Sequence, residues 1–272
     1  MKCNSLFGTI IGLLMGLINM LMSLSLNGQI KGDNIWLGGY QKNYEAQGGQ
    51  HMHIMNYNSY PLAIEYINGP MGILDNNASI CNEKGQLEFY TNGRAIMNGH
   101  HEIIENGLDI NAGVWVDRYW PTPTRGLPGK QDVLLLPDPK TKFGFYLIHK
   151  VPVYNPPAKD SFEIRYSYIL KDSINGKGKV ISKNSLLYNK RDCLFSYLTA
   201  IQHANKKDWW ILQPLLGSKI LIFLLNEQGI KLKEVQTFDQ IFDKHRSSSS
   251  GSAKFSPDGS KYAIYNYYDQ LH

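Results

Sequence analysis

Past its first 28 residues the chain alternates apolar and polar positions in short runs, each closed by a group of turn-forming residues. Gln86–Thr91 has period two, with Leu87 and Phe89 on one face, and Asn82–Gly85 before it predicts a hairpin turn back to Ala78–Cys81. The same unit recurs as Val133–Leu136 with Phe143–Ile148, and as Tyr197–His203 with Asp208–Gln213. It recurs again as Ile220–Leu225 with Ile230–Val235, and as Ala253–Phe255 with Lys261–Tyr265. The intervening Pro137–Lys142, Ala204–Lys207, Asn226–Gly229 and Ser256–Gly259 supply the Gly, Pro, Asn and Asp that tight reversals require. Helical periodicity is confined to Phe238–His245, so the pattern predicts an all-β fold. Gly32–Gly72, Trp120–Gly129 and Tyr154–Asp160 (with Pro156 and Pro157) read as irregular loops, and Ser247–Ser252 as a flexible connector.

Hairpins spaced a few tens of residues apart suggest a β-propeller of four-stranded antiparallel blades rather than one sandwich. At ~40–50 residues per blade, about four to five blades are present. The chain stops at Tyr267–His272, barely past a strand and without a closing element. A ring must shut to hide its edge strands. The expectation is an incomplete propeller domain over residues 29–272, the front part of a longer protein.

The amino-terminal segment reads as a secretory signal peptide, residues 1–28. Lys2 supplies the positive start, Leu6–Leu26 carries no charge, and Ser25–Gln29 turns small and polar, placing cleavage after Gly28. Retention as a membrane anchor is the alternative, since a span needs ~20 apolar residues. Gly8, Gly12, Gly16, Ser23 and Ser25 weaken a permanent helix there. Cys3 lies before the apolar core, the wrong side for lipidation. No later run is long enough to span a bilayer, Ile220–Leu225 being only six residues, so no stable membrane span is expected after cleavage.

Composition narrows the classes further. The net charge of +5 is spread among neutral residues, which argues for solubility and against nucleic-acid binding. Two cysteines remain after cleavage, Cys81 and Cys193. Export permits a bridge between them, but two small buried strand residues are the preferred reading.

Several residue strings resemble large exported β-propeller proteins of Bacteroidetes, with WD-like and TolB-like repeats. They are Ala78–Gly93 followed by Ile96–Gly107, Gln131–Pro139 leading into Phe145–Ile148, and Leu198–Ile211 with its His203-Ala204-Asn205 and Asp208-Trp209-Trp210. Phe255–Ala263 resembles the strand–turn–strand that many propellers share. The resemblance implies a carboxy-terminal sorting domain read by type IX secretion, and export to the cell surface or medium. It transfers no catalytic residue. Cys81 stands where Ser is usual, and Ala95-Ile96 where Val-Trp is common.

Candidate chemistry is sparse. His51 and His53 share a strand face but lack a recognisable third metal ligand, and His100 and His101 point oppositely if extended. Asp75–Asn77 and Asp258-Gly259 miss the dense acidic pattern of a calcium loop, and His203 with Asp208 is read as a hairpin tie. Nucleophile-elbow, zincin and phosphate-loop motifs are missing from the sequence, so no cofactor, metal or catalytic residue is assigned. The aromatic residues Trp115, Tyr119 and Trp120 are the candidate recognition loop for a protein or glycan ligand. The expectation is an exported, surface-associated, non-catalytic binding module whose other partner is the export machinery. The alternatives are a polymer-degrading hydrolase or lyase, and a purely structural scaffold. The enzyme alternative requires two of Asp117, Asp132, Glu163, Asp192 and His203 to converge in one pocket.

Overall fold

The computed structural model describes residues 31–40, 51–73, 76–155, 158–190, 192–194, 196–239 and 251–266. The signal segment with its cleavage position after Gly28, most of the helix expected at Phe238–His245, and the Tyr267–His272 end lie outside them. The chain is all-β, built from antiparallel sheets taken in sequence order. The first has three strands, β1 (Ile35–Gly39), β2 (Met52–Asn56) and β3 (Ala63–Ile67). The second has β4 (Ala78–Cys81), β5 (Leu87–Thr91) and β6 (Ile96–Asn98). The third has four strands, β7 (Val133–Pro137), β8 (Gly144–Asn155), β9 (Ala158–Lys171) and β10 (Gly178–Tyr188). The fourth has β11 (Thr199–Gln202), β12 (Trp209–Leu215), β13 (Lys219–Asn226) and β14 (Gly229–Thr237). The fifth pairs β15 (Gly251–Phe255) with β16 (Tyr262–Asn266). Among the described residues, the third and fourth sheets carry the four strands expected of every blade and the others carry two or three.

The five predicted hairpins are present in register, for example Ala78 opposite Thr91, Val133 opposite His149 and Phe255 opposite Tyr262. Two expectations are corrected. Gly32–Gly72 is not irregular, because it contains the first sheet. The loop expected at Tyr154–Asp160 is the tip of a long hairpin, with β8 running to Asn155 and β9 starting at Ala158. Strand pairing takes up the rest of the expected loop, with Asn155 opposite Ala158.

Each large apolar core is shared by sheets consecutive in the chain. Leu37, Met52, Met71 and Met97 pack between the first and second sheets, and Phe89, Leu147, Ile169 and Val180 between the second and third. Ile148, Ile164, Ile211 and Phe223 fill the next interface, and Tyr197, Ile220, Ala253 and Ile264 the last. Strand β13 serves two cores at once: Leu221 and Phe223 face one, Ile220 the other. That is why Ile220–Leu225 is a continuous apolar run rather than an alternating one. Each such side chain contributes ~1.5–3 kcal/mol when fully buried. First strands lie side by side, β1 against β4, β4 against β7 and β11 against β15. Cys81 and Cys193 are both buried, free, and in different cores, so they form no disulfide. Burial pushes the Cys193 thiol up to about 12 and raises Cys81 as well, leaving both inert.

A polar hub joins the sheets where their first strands meet. Lys150 Nζ lies 2.8 Å from Asp132 Oδ1 and donates to the carbonyls of Leu194 at 2.5 Å and Ser196 at 2.8 Å, so all three ammonium protons are used. Asp132 Oδ1 also accepts the Ser196 amide at 2.9 Å. Burial raises the Asp132 pKa, against the lowering by Lys150 and by the Ser196 amide. Gln213 donates to the same two carbonyls, at 3.0 and 3.3 Å. Ser196 and Tyr197 are both left-handed, φ 68° and 67°, a conformation that this bonding holds in place. From the start of β7, the Gln131 side chain donates to the Ala253 carbonyl at 2.9 Å and accepts its amide at 2.8 Å, clasping the fifth sheet.

Candidate recognition site

The turn after β5 sets the geometry. Asn92 Oδ1 accepts the amides of Arg94 at 3.0 Å and Ala95 at 2.9 Å, and Thr91 Oγ1 accepts that of Gly93. Gly93 sits at φ 82°, where a side chain would be strained. The turn aims the Arg94 side chain inward, leaving the residue only 1% exposed. Its guanidinium reaches Asp117 Oδ1 at 3.1 Å and Asp109 Oδ1 at 3.6 Å, while those carboxylates stay 55% and 61% exposed. One buried cation therefore holds two solvent-facing anions. Asp117 Oδ2 accepts the Gly113 amide at 3.1 Å, so both its oxygens are engaged.

Asp117 belongs to a short helix, Val114–Tyr119, where a loop is expected from the sequence. The helix makes the difference because it places Trp115 and Tyr119 four residues apart, on the same face. Trp115 and Trp120 stack with centroids 4.8 Å apart at 24°, and Tyr119 lies 5.3 Å from Trp115 and 6.3 Å from Trp120. The two indoles rest on a small core of Val116, Leu127 and Val151, whereas Tyr119 is 56% exposed and carries the Arg118 guanidinium over its ring at 5.5 Å. The following loop contains a 3-10 turn, Pro123–Arg125. It is tied down by Asn92 Nδ2 to the Pro123 carbonyl at 3.1 Å and by the Gly72 amide to the Thr124 carbonyl at 2.7 Å. The three residues singled out from sequence are thus brought together, two as foundation and one as exposed surface. Arg94 and Asp109 went unnoticed, since nothing in the string Thr91–Ala95 marks an arginine about to be buried.

Behind the site lies a second polar chain. Asn111 donates through Nδ2 to the carbonyls of Gly93 and Lys150, both at 3.2 Å, so its Oδ1 must accept from His149 Nδ1 at 2.6 Å. The imidazole is therefore the Nδ1–H tautomer, and Nε2 accepts from the Ser167 hydroxyl at 3.0 Å. Burial, helped by Arg165, lowers the His149 pKa to about 3. His149 is a neutral structural linker rather than an acid or base.

The groups that the enzyme alternative required do not converge. Asp117 holds Arg94, Asp132 holds Lys150, and Glu163 pairs with Arg165 at 2.6 Å. Asp192 accepts from Tyr188 at 2.8 Å, and His203 Nδ1 accepts the Asn205 amide at 3.1 Å. The His203–Asp208 hairpin is tied through backbone, His203 N to Asp208 O at 2.8 Å, with Asn205 bridging to Asp208 Oδ2. His53 packs against Gly38, and His101 Nδ1 meets the Tyr90 hydroxyl at 2.9 Å. Asp258 is held by the Ser256 hydroxyl and by Ser260, which lower its pKa to about 2. Asp75 lies outside the described residues, and its neighbour Asn76 accepts the Asp132 amide at 3.2 Å. Among the described residues no group of three or more His, Cys, Asp or Glu is arranged to hold a metal ion, and no helix is long and apolar enough to cross a membrane. No protein-family profile, curated protein or solved structure matches the chain.

Proposed function

We propose that the chain is an exported, surface-associated β-propeller that binds glycans or other macromolecules without catalysing a reaction. The observation that carries this reading is the ring cluster of Trp115, Tyr119 and Trp120 beside the carboxylates that Arg94 holds. Stacked indoles on a packed base give a rigid apolar platform, and the exposed Tyr119 and the two carboxylates add polar contacts at its rim. The propeller reading draws support from consecutive antiparallel meanders that share cores in chain order and adjoin through their first strands. Export through the type IX route rests on the signal pattern and the family resemblance alone. The enzyme alternative finds no support in the geometry, because each candidate acid or base is committed to its own partner.

A glycan and peptide array probed with the intact chain tests the binding reading. Signal that falls on Tyr119→Ala, with unchanged thermal melting, is the expected result. Silence across both arrays would sink it.

A further inference from the structure

We infer that Asn175, at the tip of the β9–β10 hairpin, is a self-modifying site that converts to aspartate and isoaspartate through a cyclic imide. An Asn–Gly pair is prone to this reaction because glycine offers its backbone nitrogen with no side chain in the way. The sequence holds six such pairs, starting at Asn27, Asn68, Asn92, Asn98, Asn106 and Asn175. Asn27 lies outside the described residues, and the fold discriminates among the rest.

All but one of these are held fast. Asn92 is fully buried, its Oδ1 accepting two amides and its Nδ2 donating to the Pro123 carbonyl at 3.1 Å. Asn98 is buried as well, with Oδ1 on the amides of His100 at 2.9 Å and Glu102 at 3.0 Å. Asn106 is exposed, but its Nδ2 donates to the Val180 carbonyl at 3.0 Å, and the buried Gly107 donates its amide to the Ile104 carbonyl at 2.9 Å. Gly69, after Asn68, is also buried, packed against Met52 with its amide on the Ile67 carbonyl at 3.0 Å. Each of these segments must open locally before its glycine nitrogen is free to attack.

The hairpin tip is different. Asn175 is exposed, and a side chain added at Gly176 would meet nothing within 4 Å. The Asn175 Nδ2, the group that must leave, makes no hydrogen bond among the described residues. Its Oδ1 accepts the Lys177 amide at 2.8 Å, a donor placed where negative charge develops as Cγ is attacked. The Gly176 amide rests on the Asp172 carbonyl at 3.0 Å, a bond at an exposed tip that opens at little cost. Hydroxide then takes the amide proton, and the Gly176 nitrogen bonds to Cγ. The Cγ–Nδ2 bond breaks, and the departing group takes a proton from water to leave as ammonia. Water opens the ring at either carbonyl, giving aspartate or isoaspartate. Both products add an anion beside Asp172. Isoaspartate also lengthens the main chain by a methylene, against the Asp172 amide and Lys177 carbonyl that meet at 2.6 Å to close the hairpin.

The test is incubation of the intact chain at mildly acidic and mildly alkaline pH, followed by brief tryptic digestion and mass spectrometry. Digestion in water labelled with heavy oxygen marks any conversion that happens during that step. The tryptic peptide Asp172–Lys177 carries no other Asn. Its conversion into two products, each heavier by the difference between O and NH, is expected, and faster at the alkaline pH. Asn68, Asn92, Asn98 and Asn106, located by fragment spectra, should convert at least about tenfold more slowly. In urea that gap should narrow sharply, because the fold creates it. Asn175→Gln should abolish conversion at the tip and leave thermal melting unchanged. The inference is overturned if Asp172–Lys177 stays intact in the folded chain, if any other described Asn–Gly pair converts as fast, or if the gap persists in urea.

Discussion

At the hub, Lys150 and Asp132 meet at 2.8 Å with side-chain exposures of 0% and 3%. Around Arg94 the cation is equally buried, yet its carboxylates, Asp109 and Asp117, are 61% and 55% exposed. The same pairing of charges therefore does two jobs. Where both partners are dry, the three ammonium protons go to Asp132 and to the Leu194 and Ser196 carbonyls, and the result is a joint between sheets. Where one partner reaches water, the pair can hold a surface in shape while keeping anionic oxygen available to a ligand. Burial of the second partner, rather than the identity of the residues, separates structure from recognition here.

Removing one hub partner should have the largest effect. Lys150→Met strands a buried carboxylate and should cost about 3–5 kcal/mol in urea unfolding. The double variant Lys150→Met, Asp132→Leu should recover much of that loss, because no charge is then left unpaired. A single-variant cost below ~1 kcal/mol would mean that water reaches the hub, and the contrast would collapse.

Acid should stress the interior next. His149 has a folded pKa of about 3, below its ordinary 6.5, so between these values the unfolded chain takes up a proton that the folded one refuses. Its contribution is complete above pH ~6.5 and is lost as the pH falls, at about 1.4 kcal/mol per unit at the steepest. Subtracting the urea midpoints of His149→Gln from those of the wild type across pH 4 to 7 isolates this slope from the carboxylates. A flat difference would refute the buried neutral imidazole.

The outer pair should be gentler. Arg94→Met should cost about 1–2 kcal/mol, since Asp109 and Asp117 can turn to water. Loss of the strut should also shift Trp115 and Trp120 emission, and a cost matching Lys150→Met would erase the distinction. Tyr119→Ala should change stability by less than ~0.5 kcal/mol, as exposed substitutions do. Its effect should fall on binding alone.

Much of the fold could be read from the string because hairpins are local. Asn82–Gly85 and Ser256–Gly259 declare their turns, and the strands beside them follow. The first sheet escaped for an instructive reason. Trp36, Met55, Ile64 and Tyr66 occupy outward positions where polar residues would complete a period-two pattern, so an apolar outer face erased its own signature. Strands β9 and β10 do not announce themselves because β9 is set by its pairing with β8 and β10 by its pairing with β9, and bulges near Ser182 and Ser185 break the alternation. The aromatic trio was visible as composition, but its convergence depended on a one-turn helix too short to show periodicity. Arg94 and Asp109 meet only through the fold.

The clasp between Gln131 and Ala253 also has a consequence in time. Its partners are 122 residues apart in the chain, so the contact forms late, after a long loop has closed. While the chain is being made, Gln131 waits for the fifth sheet to be synthesised. Until then the Gln131 amide stays open to water, and the hub and the earlier interfaces form without the clasp.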